Sequence, residues 1–490
     1  MKRISRYIAL LILISFVVSC AAAPADEGEA QSSEDPSGMP AEELTVDVEP
    51  EETRPPHRVP DLDFGGAAFT VAYPKWAGYA YYFFADEQTG DGMNDAIFER
   101  KVRVEDALNV ALGQVDTGYI AEVVAEVKRS VQAGDDVYQL GLFHCIQGIE
   151  ELATGGFLYN MDEIPYIDLT ADWWNQRMMD TLRLGKRTVY GVSDYMIPAP
   201  YCIYFNKQLI AQHQLDNPYE LVYNGDWTLD RYLGLSKAVT QDQNGNGVFE
   251  DGDLAGMIAN DASCYTSFVT GCGQFMTSVD EQGQIYLDFF TDKMVSIVEK
   301  FGAAAGDPGV VQIPGATGGL VMFSNGNILF DLSSIADAPQ YRDTDFDLGL
   351  LPYPKYDEQQ DNYISLDWGG LMGIPSTIRD PEMVGAVIEL LAYESKDTVI
   401  PAYYDVLLAG KLARDTDTVA MMDILFDTIA YEVGGNYFGF SSGFNNLFYT
   451  LGNEVVKNGK ADFASFYKSN EKAAQATIKT FYKKLAKTEG

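Results

Sequence analysis

The first twenty residues limit which part of this chain can fold into a globular body. Three basic residues are followed by an almost unbroken apolar run over residues 7–18, and then by Ser19 and Cys20. This order of basic, apolar and small residues is typical of a signal peptide. The apolar run has about a dozen residues, whereas a membrane-spanning helix needs roughly 20. We therefore predict that residues 1–19 direct export and that the rest of the chain folds outside the cytoplasmic membrane.

The end of this segment, V-V-S-C over residues 17–20, resembles a bacterial lipobox. The resemblance implies a thioether-linked diacylglycerol on Cys20. This lipid would be the only membrane contact of the chain, and it would anchor the chain at the extracellular face of the cytoplasmic membrane. The alternative is an ordinary secretory peptide in which Cys20 has no such role.

The segment after Cys20 favours the lipid anchor. Residues 21–56 consist mainly of alanine, glycine, serine, proline and acids, with no aromatic residue and no basic residue before Arg54. Such a composition cannot bury enough apolar surface to offset the entropy of ordering. We predict that residues 20–61 form a disordered acidic tether, from which a folded body would hang.

The composition limits how many lobes the folded body has and which class of partner it binds. About 430 residues follow the tether, which exceeds the size that one hydrophobic core usually serves, so we expect two lobes. The chain has 72 acidic and 34 basic residues and a net charge of −38. Because nucleic-acid affinity depends on lysine and arginine contacts with phosphate, we expect no nucleic-acid partner. We also expect a monomer.

The cysteines give little support for a disulfide framework or a zinc site. Cys264 and Cys272 are the only close pair. They either form a disulfide bridge with each other or remain two separate buried thiols. The chain has only three histidines, and no His/Cys cluster has the spacing of zinc ligands.

Apolar residues in the body alternate between strand-like and helix-like patterns. Short apolar runs predict strands, and apolar residues at helical spacing predict helices, with Asn94 as the N-cap of the first helix. The predicted strands are 67–73, 110–115, 138–143, 188–192, 199–205, 327–332, 346–351 and 371–374, and the predicted helices include 94–111, 119–132, 149–154 and 229–239. Strands that alternate with helices favour parallel βαβ units and an α/β fold.

Several ordered segments resemble one known family. They are A-D-W-W-N-Q (171–176), G-K (185–186) leading into Y-G-V-S-D (190–194), I-Y-F-N-K (203–207), G-D-W-T-L-D (225–230), F-D-L-G-L-L-P-Y-P-K (346–355), I-P-S (374–376) and P-A-Y-Y-D-V (401–406). In this order and spacing, the sequence from about Phe64 to the C-terminus is similar to the family 1 extracellular solute-binding proteins of ABC importers. The resemblance implies a two-lobe α/β fold of the type II periplasmic-binding-protein kind, with a ligand cleft between the lobes.

The same resemblance implies where the lobes and the cleft lie. The N-terminal lobe would comprise residues 62–195 plus 366–402, and the C-terminal lobe residues 196–365 plus 403–490. The chain would cross between the lobes near residues 193–198, residues 364–368 and Pro401. A protein of this family captures a solute, closes around it by a hinge motion and delivers it to the permease subunits of an ABC importer.

The sharpest local motif is D-Q-N-G-N-G-V-F-E-D-G-D over residues 242–253. Oxygen-bearing side chains recur with the spacing of a calcium-binding loop, and glycine stands where that loop turns sharply. The motif departs from the EF-hand at its last position, where aspartate replaces glutamate. The predicted ligands of a structural calcium ion are Asp242, Asn244, Asn246, the backbone carbonyl of Val248, Glu250 and Asp253. The alternative is a polar Asn-Gly turn that binds nothing.

Aromatic and polar residues near the proposed crossings are the candidate solute ligands. Aromatic faces bury the apolar faces of sugars, and carboxylates accept hydrogen bonds from hydroxyl groups. Trp76 follows the first predicted strand, and Asp367 and Trp368 lie on the second crossing. The other candidates follow from position in the resembled fold and are Asp194, Tyr195, Asp331, Ser333, Tyr437 and Phe440. For each candidate the alternative is a core or capping role, which we expect for Trp173, Trp174 and Trp227 at helix starts.

These features leave three functional classes open. The first is a lipid-anchored binding protein that delivers a solute to an ABC permease, and the high aromatic content favours an oligosaccharide as that solute. The second is a surface glycoside hydrolase, which needs two suitably placed carboxylates but has no recognisable motif here. The third is a surface protein that binds a ligand without transporting it, because a fold does not fix a function.

Overall fold

The strands of the protein are short and fall mainly into two sheets. A computed structural model describes residues 54–75, 84–145, 147–250, 252–259, 262–312, 321–408, 416–439, 441–459 and 462–488. The strands are β1 (Ala67–Tyr73), β2 (Val110–Asp116), β3 (Leu140–His144), β4 (Tyr201–Asn206), β5 (Ala255–Ala259), β6 (Thr277–Val279), β7 (Ile285–Leu287), β8 (Val311–Gln312), β9 (Ile328–Ser334), β10 (Leu348–Leu351), β11 (Ser365–Leu366), β12 (Gly370–Gly373) and β13 (Ile429–Ala430). Residues Arg58–Gly490 form one compact unit.

Several sequence predictions lie outside the described residues. They are the signal peptide (1–19), most of the tether (20–61), Cys20, Trp76 and Phe440. Among the residues that are described, no helix is both long enough and apolar enough to span a membrane.

The first sheet has the strand order β12-β3-β1-β2. β1 pairs in parallel with β2 and β3, as expected for βαβ units, and β12 returns antiparallel to β3. All five residues of β3 are buried, and the helix Ile120–Ala133 packs against this strand. β1 has the predicted bounds, and its apolar residues Phe69 and Val71 are buried.

The second sheet has the order β10-β4-β9-β5-β8. β5 is parallel to β8 and β9, whereas β4 is antiparallel to both of its neighbours. An aromatic cluster packs beside this sheet, in which the ring centroids of Tyr232 lie 4.8 Å from those of Phe268 and Phe330. Trp227 joins the cluster and donates its indole N–H to the carbonyl of Pro352 at 2.9 Å. The two mixed sheets with their helices confirm the α/β prediction.

Helices connect and flank these sheets, and they dominate the last quarter of the chain. They are α1 (Gly92–Leu108), α2 (Ile120–Ala133), α3 (Ile149–Thr154), α4 (Gln176–Leu182), α5 (Lys207–Gln212), α6 (Pro218–Asn224), α7 (Leu229–Val239), α8 (Ala262–Gly271), α9 (Asp292–Gly306), α10 (Pro381–Ser395), α11 (Val399–Leu408), α12 (Thr416–Asp427), α13 (Val433–Phe438), α14 (Ser442–Asn445), α15 (Leu451–Asn458) and α16 (Phe463–Thr488). A π-helical turn, Asn446–Thr450, lies between α14 and α15.

The start and the end of α1 differ from the prediction. Asp91, and not Asn94, is the N-cap, and its side chain accepts a hydrogen bond from the Asn94 backbone N–H at 2.9 Å. The helix ends before Asn109, which takes a left-handed conformation with φ of 48°. The chain therefore turns directly into β2, and Ala111 belongs to the strand.

The predicted strand 188–192 is wrong. This segment makes only an isolated bridge between Gly191 and Met372. Gly191 lies against the indole of Trp174, and a Cβ atom at this glycine would be 2.9 Å from Trp174 Cζ3. Packing against large side chains therefore replaces regular strand pairing here.

Helix α10 holds the Trp173-Trp174 segment in place. The indole N–H groups of Trp173 and Trp174 donate to the two carboxylate oxygens of Glu389 at 3.0 and 3.1 Å. The backbone N–H of Asp168 donates to the same carboxylate at 3.2 Å. Glu389 is fully buried, and burial raises its pKa to about 7. One helical turn earlier, Gly385 packs so closely on this segment that an added Cβ atom would lie 1.9 Å from the carbonyl oxygen of Pro165.

Of the two alternatives for Cys264 and Cys272, the disulfide bridge is excluded, because Cys272 is a free, buried thiol. Burial raises the pKa of Cys272 to about 12, so this sulfur is an unreactive thiol in the core. The lobe boundaries stay a prediction. The first sheet uses strands from residues 67–144 and 370–373, and the second sheet uses strands from residues 201–351.

Candidate functional site

Two segments connect the first sheet with the second, and we call them the first and the second crossing. The first runs from Ser193 towards β4, and the backbone N–H of Asp194 donates to the carbonyl of Trp173 at 2.8 Å. The second runs from β11 to β12 and carries Asp367 and Trp368. At its end, Gly370 pairs with His144, the last residue of β3. The second crossing therefore passes the carboxyl edge of the first sheet, where α/β proteins place ligands.

Asp367 connects both crossings. Its carboxylate is buried, and Oδ2 accepts a hydrogen bond from the Tyr431 hydroxyl at 3.2 Å. Burial raises the pKa of Asp367 to about 6, against the opposing effects of the Tyr431 hydroxyl and of the backbone N–H groups of Ala199 and Gly369. Ala199 belongs to the first crossing and Gly369 to the second. The other carboxylate oxygen, Oδ1, is buried and has no hydrogen-bond partner within the described residues.

Trp368 presents a second polar atom without a partner. Its indole nitrogen Nε1 is buried and meets no acceptor in the part of the chain that the structure describes. The ring packs edge-on against Phe448, with centroids 5.2 Å apart. It also lies against Gly435, where an added Cβ atom would be 2.9 Å from Trp368 Cη2. The indole is thus fixed in position while its N–H group is left unused.

The helix that begins beside Trp368 contributes Asn436, which the sequence analysis missed. This side chain is 1% exposed, and neither amide atom has a partner among the described residues. The helix, α13, is capped by the buried carboxylate of Glu432, which accepts the backbone N–H of Gly435 and the hydroxyl of Thr277. A local signal existed, because Asn436 is the only amide side chain in the aromatic and glycine-rich run over residues 434–440.

Asp367, Trp368 and Asn436 share one property. An unpaired polar atom in a dry interior costs free energy, and buried polar atoms without partners are uncommon in native proteins. A hydroxyl-bearing ligand offers both hydrogen-bond donors and acceptors. It could therefore supply the partners that these three side chains lack among the described residues. We refer to Asp367, Trp368 and Asn436 as the crossing site.

Tyr195 lies in the first crossing and is almost fully buried. The guanidinium of Arg100 is 4.7 Å from the centre of its ring, and Phe84 stacks on it at 6.4 Å. Burial raises the pKa of Tyr195 to about 12, and its hydroxyl has no partner in the described structure. Its neighbour Asp194 is only half-buried.

The remaining described candidates have partners within the protein. Asp331 is fully buried in β9, and its Oδ2 accepts a hydrogen bond from the Tyr341 hydroxyl at 2.6 Å. Its Oδ1, like that of Asp367, has no partner among the described residues, and burial raises the pKa of Asp331 to about 7. Ser333 donates to Asp337 at 2.5 Å. Tyr437 is buried among aromatic rings, and its hydroxyl donates to the carbonyl of Leu182 at 2.7 Å. These contacts describe core and capping roles, and a ligand role for the three residues stays a prediction.

The predicted calcium loop brings several of its polar side chains together. The side-chain amides of Asn244 and Asn246 both donate to the same Glu250 oxygen at 2.8 Å. The two oxygens of Asp242 accept the backbone N–H groups of Gly245 and Gly247, each at 2.7 Å. The third, fifth and ninth positions of the motif therefore meet through their side chains, while the first position caps the backbone of the same turn.

The last position of that loop fits less well. Both oxygens of Asp253 accept backbone N–H groups, from Gln243 and Glu250, and its side chain is buried. Val248 is exposed at the rim of the loop. No group of three or more His, Cys, Asp or Glu side chains within the described ranges is placed to hold a metal ion. A calcium ion here would depend on the two asparagine oxygens.

Comparisons with known proteins identify the fold. No protein-family model and no curated protein sequence matches this chain. Among solved structures, an ABC substrate-binding protein from Listeria monocytogenes in complex with cycloalternan is similar, with 11% identity and a TM-score of 0.54, over 86% of this chain and 99% of that one.

Two maltose-binding proteins are also similar. The maltose/maltodextrin-binding domain MalE from Bdellovibrio bacteriovorus, bound to maltotriose, has 11% identity and a TM-score of 0.56, over 85% of this chain and 100% of that one. The maltose-binding periplasmic protein MalE from Listeria monocytogenes, in complex with maltose, has 13% identity and a TM-score of 0.55, over 84% and 98%. All three are binding proteins by name. The described body therefore has the two-lobe α/β fold of ABC substrate-binding proteins, as the sequence resemblance implied.

Proposed function

We propose that this protein captures an oligosaccharide outside the cell and delivers it to the permease of an ABC importer. The observation that carries the proposal is the crossing site. Asp367 Oδ1, Trp368 Nε1 and the amide of Asn436 are buried polar atoms without partners in the described structure. Sugar hydroxyl groups would satisfy them, and an indole face would cover the apolar face of a sugar ring.

The fold supports the same function. Proteins of this architecture, named above, were solved with cycloalternan, maltotriose and maltose. The carboxylate of Asp367 interacts with backbone groups of both crossings, so a ligand at this site would touch the segments about which two lobes close. Ligand binding and closure would then stabilise each other.

Export and anchoring complete the proposal. The N-terminal sequence fits a signal peptide with a lipid on Cys20, which would keep the binding protein at the membrane that holds its permease. Mass spectrometry of the membrane-bound chain would detect diacylglycerol on Cys20, and an unmodified chain in the medium would contradict the anchor.

The crossing site can be tested with variants of the chain from Ala21 to Gly490, which retains the whole compact unit. A thermal-shift screen against oligosaccharides should first identify a ligand. Trp368→Ala should then weaken its affinity about thirtyfold, since the substitution removes a central aromatic anchor. Asn436→Ala should weaken affinity about tenfold because buried hydrogen bonds to the ligand are lost.

The stability of the free protein separates a ligand-binding role from a structural role. Asn436→Ala should not lower the unfolding temperature of the free protein, because the amide has no partner to lose among the described residues. Asn453→Ala is the control, since Asn453 lies in α15 and donates to the carbonyl of Tyr449 in the preceding π-helical turn at 3.0 Å. This control should keep full affinity. No shift with any oligosaccharide would contradict the proposal, and shortened products would indicate a glycoside hydrolase. Loss of the gene should abolish uptake of the ligand.

We further propose that the loop 242–253 binds calcium as a structural ion. The convergence of Asn244 and Asn246 on Glu250 supports this site. Calcium at about 100 times its dissociation constant should stabilise the folded chain by about 2.7 kcal/mol. Asp242→Asn should remove this response. Asp280→Asn is the matched control, because Asp280 also accepts two backbone N–H groups in an exposed turn, from Gln282 and Gln284. A calcium response that Asp242→Asn leaves intact would place the ion elsewhere.

A further inference from the structure

The longest helix of the protein carries a charge opposite to that of the rest of the chain. Residues 463–488 contain six lysines and one glutamate, whereas the whole chain has a net charge of −38. The helix, α16, buries one face, with Phe463, Tyr467, Ile478 and Phe481 in the core. Its lysines are all exposed.

Four of these lysines form a row. At 3.6 residues per turn, Lys468, Lys472, Lys479 and Lys483 lie within about 60° of each other around the helix axis, and the row is about 22 Å long. The described structure gives none of the four an ion pair. The nearby Lys484 differs, because it pairs with Glu150 at 2.8 Å. We call these four residues the lysine row.

A purely local role accounts for only part of this row. Lysines in the last turn of a helix interact favourably with the helix dipole, but the effect falls off within that turn. Lys468 and Lys472 lie in the first half of the helix, so the interaction with the helix dipole does not stabilise them. The one acidic residue of the helix, Glu471, lies beside the row and is half-buried, and it accepts a hydrogen bond from Gln475. The row therefore remains a cationic surface.

The surroundings of the row suit a flat partner. The exposed residues between and beside the lysines include Ser469, Ala473, Ala476 and Thr480. Gln475 lies within the row and is also exposed, but it is uncharged. All of these side chains are shorter than lysine, so the four ammonium groups can extend beyond them to one plane. The row contains no aromatic ring and no planar guanidinium group. It therefore has no planar group that would select a ligand of one specific shape.

We infer that the lysine row of α16 binds the anionic phospholipid surface of a membrane. Clusters of at least four basic residues on an amphipathic helix are a recognised feature of such binding. Glu471 opposes the contact, and Glu150 beside Lys484 is another acid near this helix. Acidic groups farther than about 8 Å from the row oppose the contact only weakly, because charges at that distance are screened at physiological salt. The inference is independent of solute capture. If Cys20 is lipidated as proposed, the membrane is always near, and a weak contact is enough to orient the body.

The chain from Ala21 to Gly490 can test this inference without a lipid anchor. It should sediment with vesicles made of equal parts phosphatidylglycerol and phosphatidylcholine, and should not sediment with vesicles of pure phosphatidylcholine. The triple variant Lys472→Gln, Lys479→Gln and Lys483→Gln should reduce binding to the anionic vesicles at least tenfold. Raising the salt concentration should weaken binding of the wild-type chain.

A matched control removes the same charge elsewhere. Lys75, Lys186 and Lys237 are exposed lysines outside α16, and changing all three to glutamine should leave vesicle binding within twofold of wild type. An equal loss in both triple variants would overturn the inference, because the binding would then depend only on net charge. No binding of the wild-type chain to anionic vesicles would also overturn it. Binding to soluble polyphosphate but not to vesicles would reassign the row to a phosphate polymer.

Discussion

Replacing Glu389 with alanine should lower the free energy of unfolding by about 4 kcal/mol, because two buried donors and one half-buried donor would lose their acceptor at once. The two indole N–H groups of Trp173 and Trp174 and the backbone N–H of Asp168 all donate to this carboxylate. Urea unfolding at constant pH would measure the change. Glu382→Ala is the control, since Glu382 lies exposed on the same helix and should change stability by less than about 1 kcal/mol.

The same carboxylate should make stability depend on pH. Burial raises the pKa of Glu389 from 4.5 to about 7, so the folded state holds its proton more tightly than the unfolded state does. The resulting stabilisation is fully present below pH 4.5 and is lost as the pH rises through 7. It corresponds to about 3 kcal/mol at 1.36 kcal/mol per unit of pKa.

Glu389→Gln isolates this effect from other titrating groups. Asp331 and Asp367 also have raised pKa values, of about 7 and about 6, and they change stability in the same direction. The difference between the wild-type chain and Glu389→Gln cancels their contributions. That difference should change between pH 4.5 and 7, and a constant difference across this range would contradict the assignment.

Replacing Gly385 with alanine should destabilise the protein by about 3 kcal/mol, because the new methyl group cannot be accommodated. Its Cβ atom would lie 1.9 Å from the backbone oxygen of Pro165 and 2.8 Å from Ile164 Cγ2. Backbone cannot move aside as a side chain can, so helix α10 would have to shift away from the segment that it supports.

Gly234→Ala provides a control with the opposite sign. Gly234 lies within helix α7, where an added Cβ atom would meet nothing within 4 Å. Alanine is the better helix former by up to about 1 kcal/mol, so this variant should be slightly more stable than the wild type. Both midpoints can be measured by thermal unfolding. Equal effects of the two substitutions would show that the contact with Pro165 is unimportant.

Local patterns predicted the local structure well. The bounds of β1, α3 and α7 follow from runs of apolar residues and from helical spacing, which depend only on near neighbours in the chain. The N-cap of α1 was misplaced because Asp91 and Asn94 are both good caps, and only the backbone geometry distinguishes them. The burial of Trp173, Trp174 and Trp227 beside helix starts was also predicted.

What depends on distant residues could not be predicted. Trp173 is 216 residues from the carboxylate that accepts its N–H group. No local pattern indicates this partner, and periodicity makes Glu389 look like an ordinary helix residue. Asn436 was missed for a related reason: what distinguishes it is the absence of a partner among the described residues, and this depends on everything that packs around it.

The order of the strands also constrains how the chain can fold. All five strands of the second sheet lie between Tyr201 and Leu351, so this sheet can form from one continuous stretch. The first sheet includes β12, and its pairing with β3 joins residues more than two hundred positions apart. Closing so long a loop is slow. Most strands of the first sheet are synthesised before those of the second sheet, but β12 is synthesised after them. The first sheet can therefore be completed only after the second sheet has been synthesised, and one edge of β3 stays unpaired during that interval.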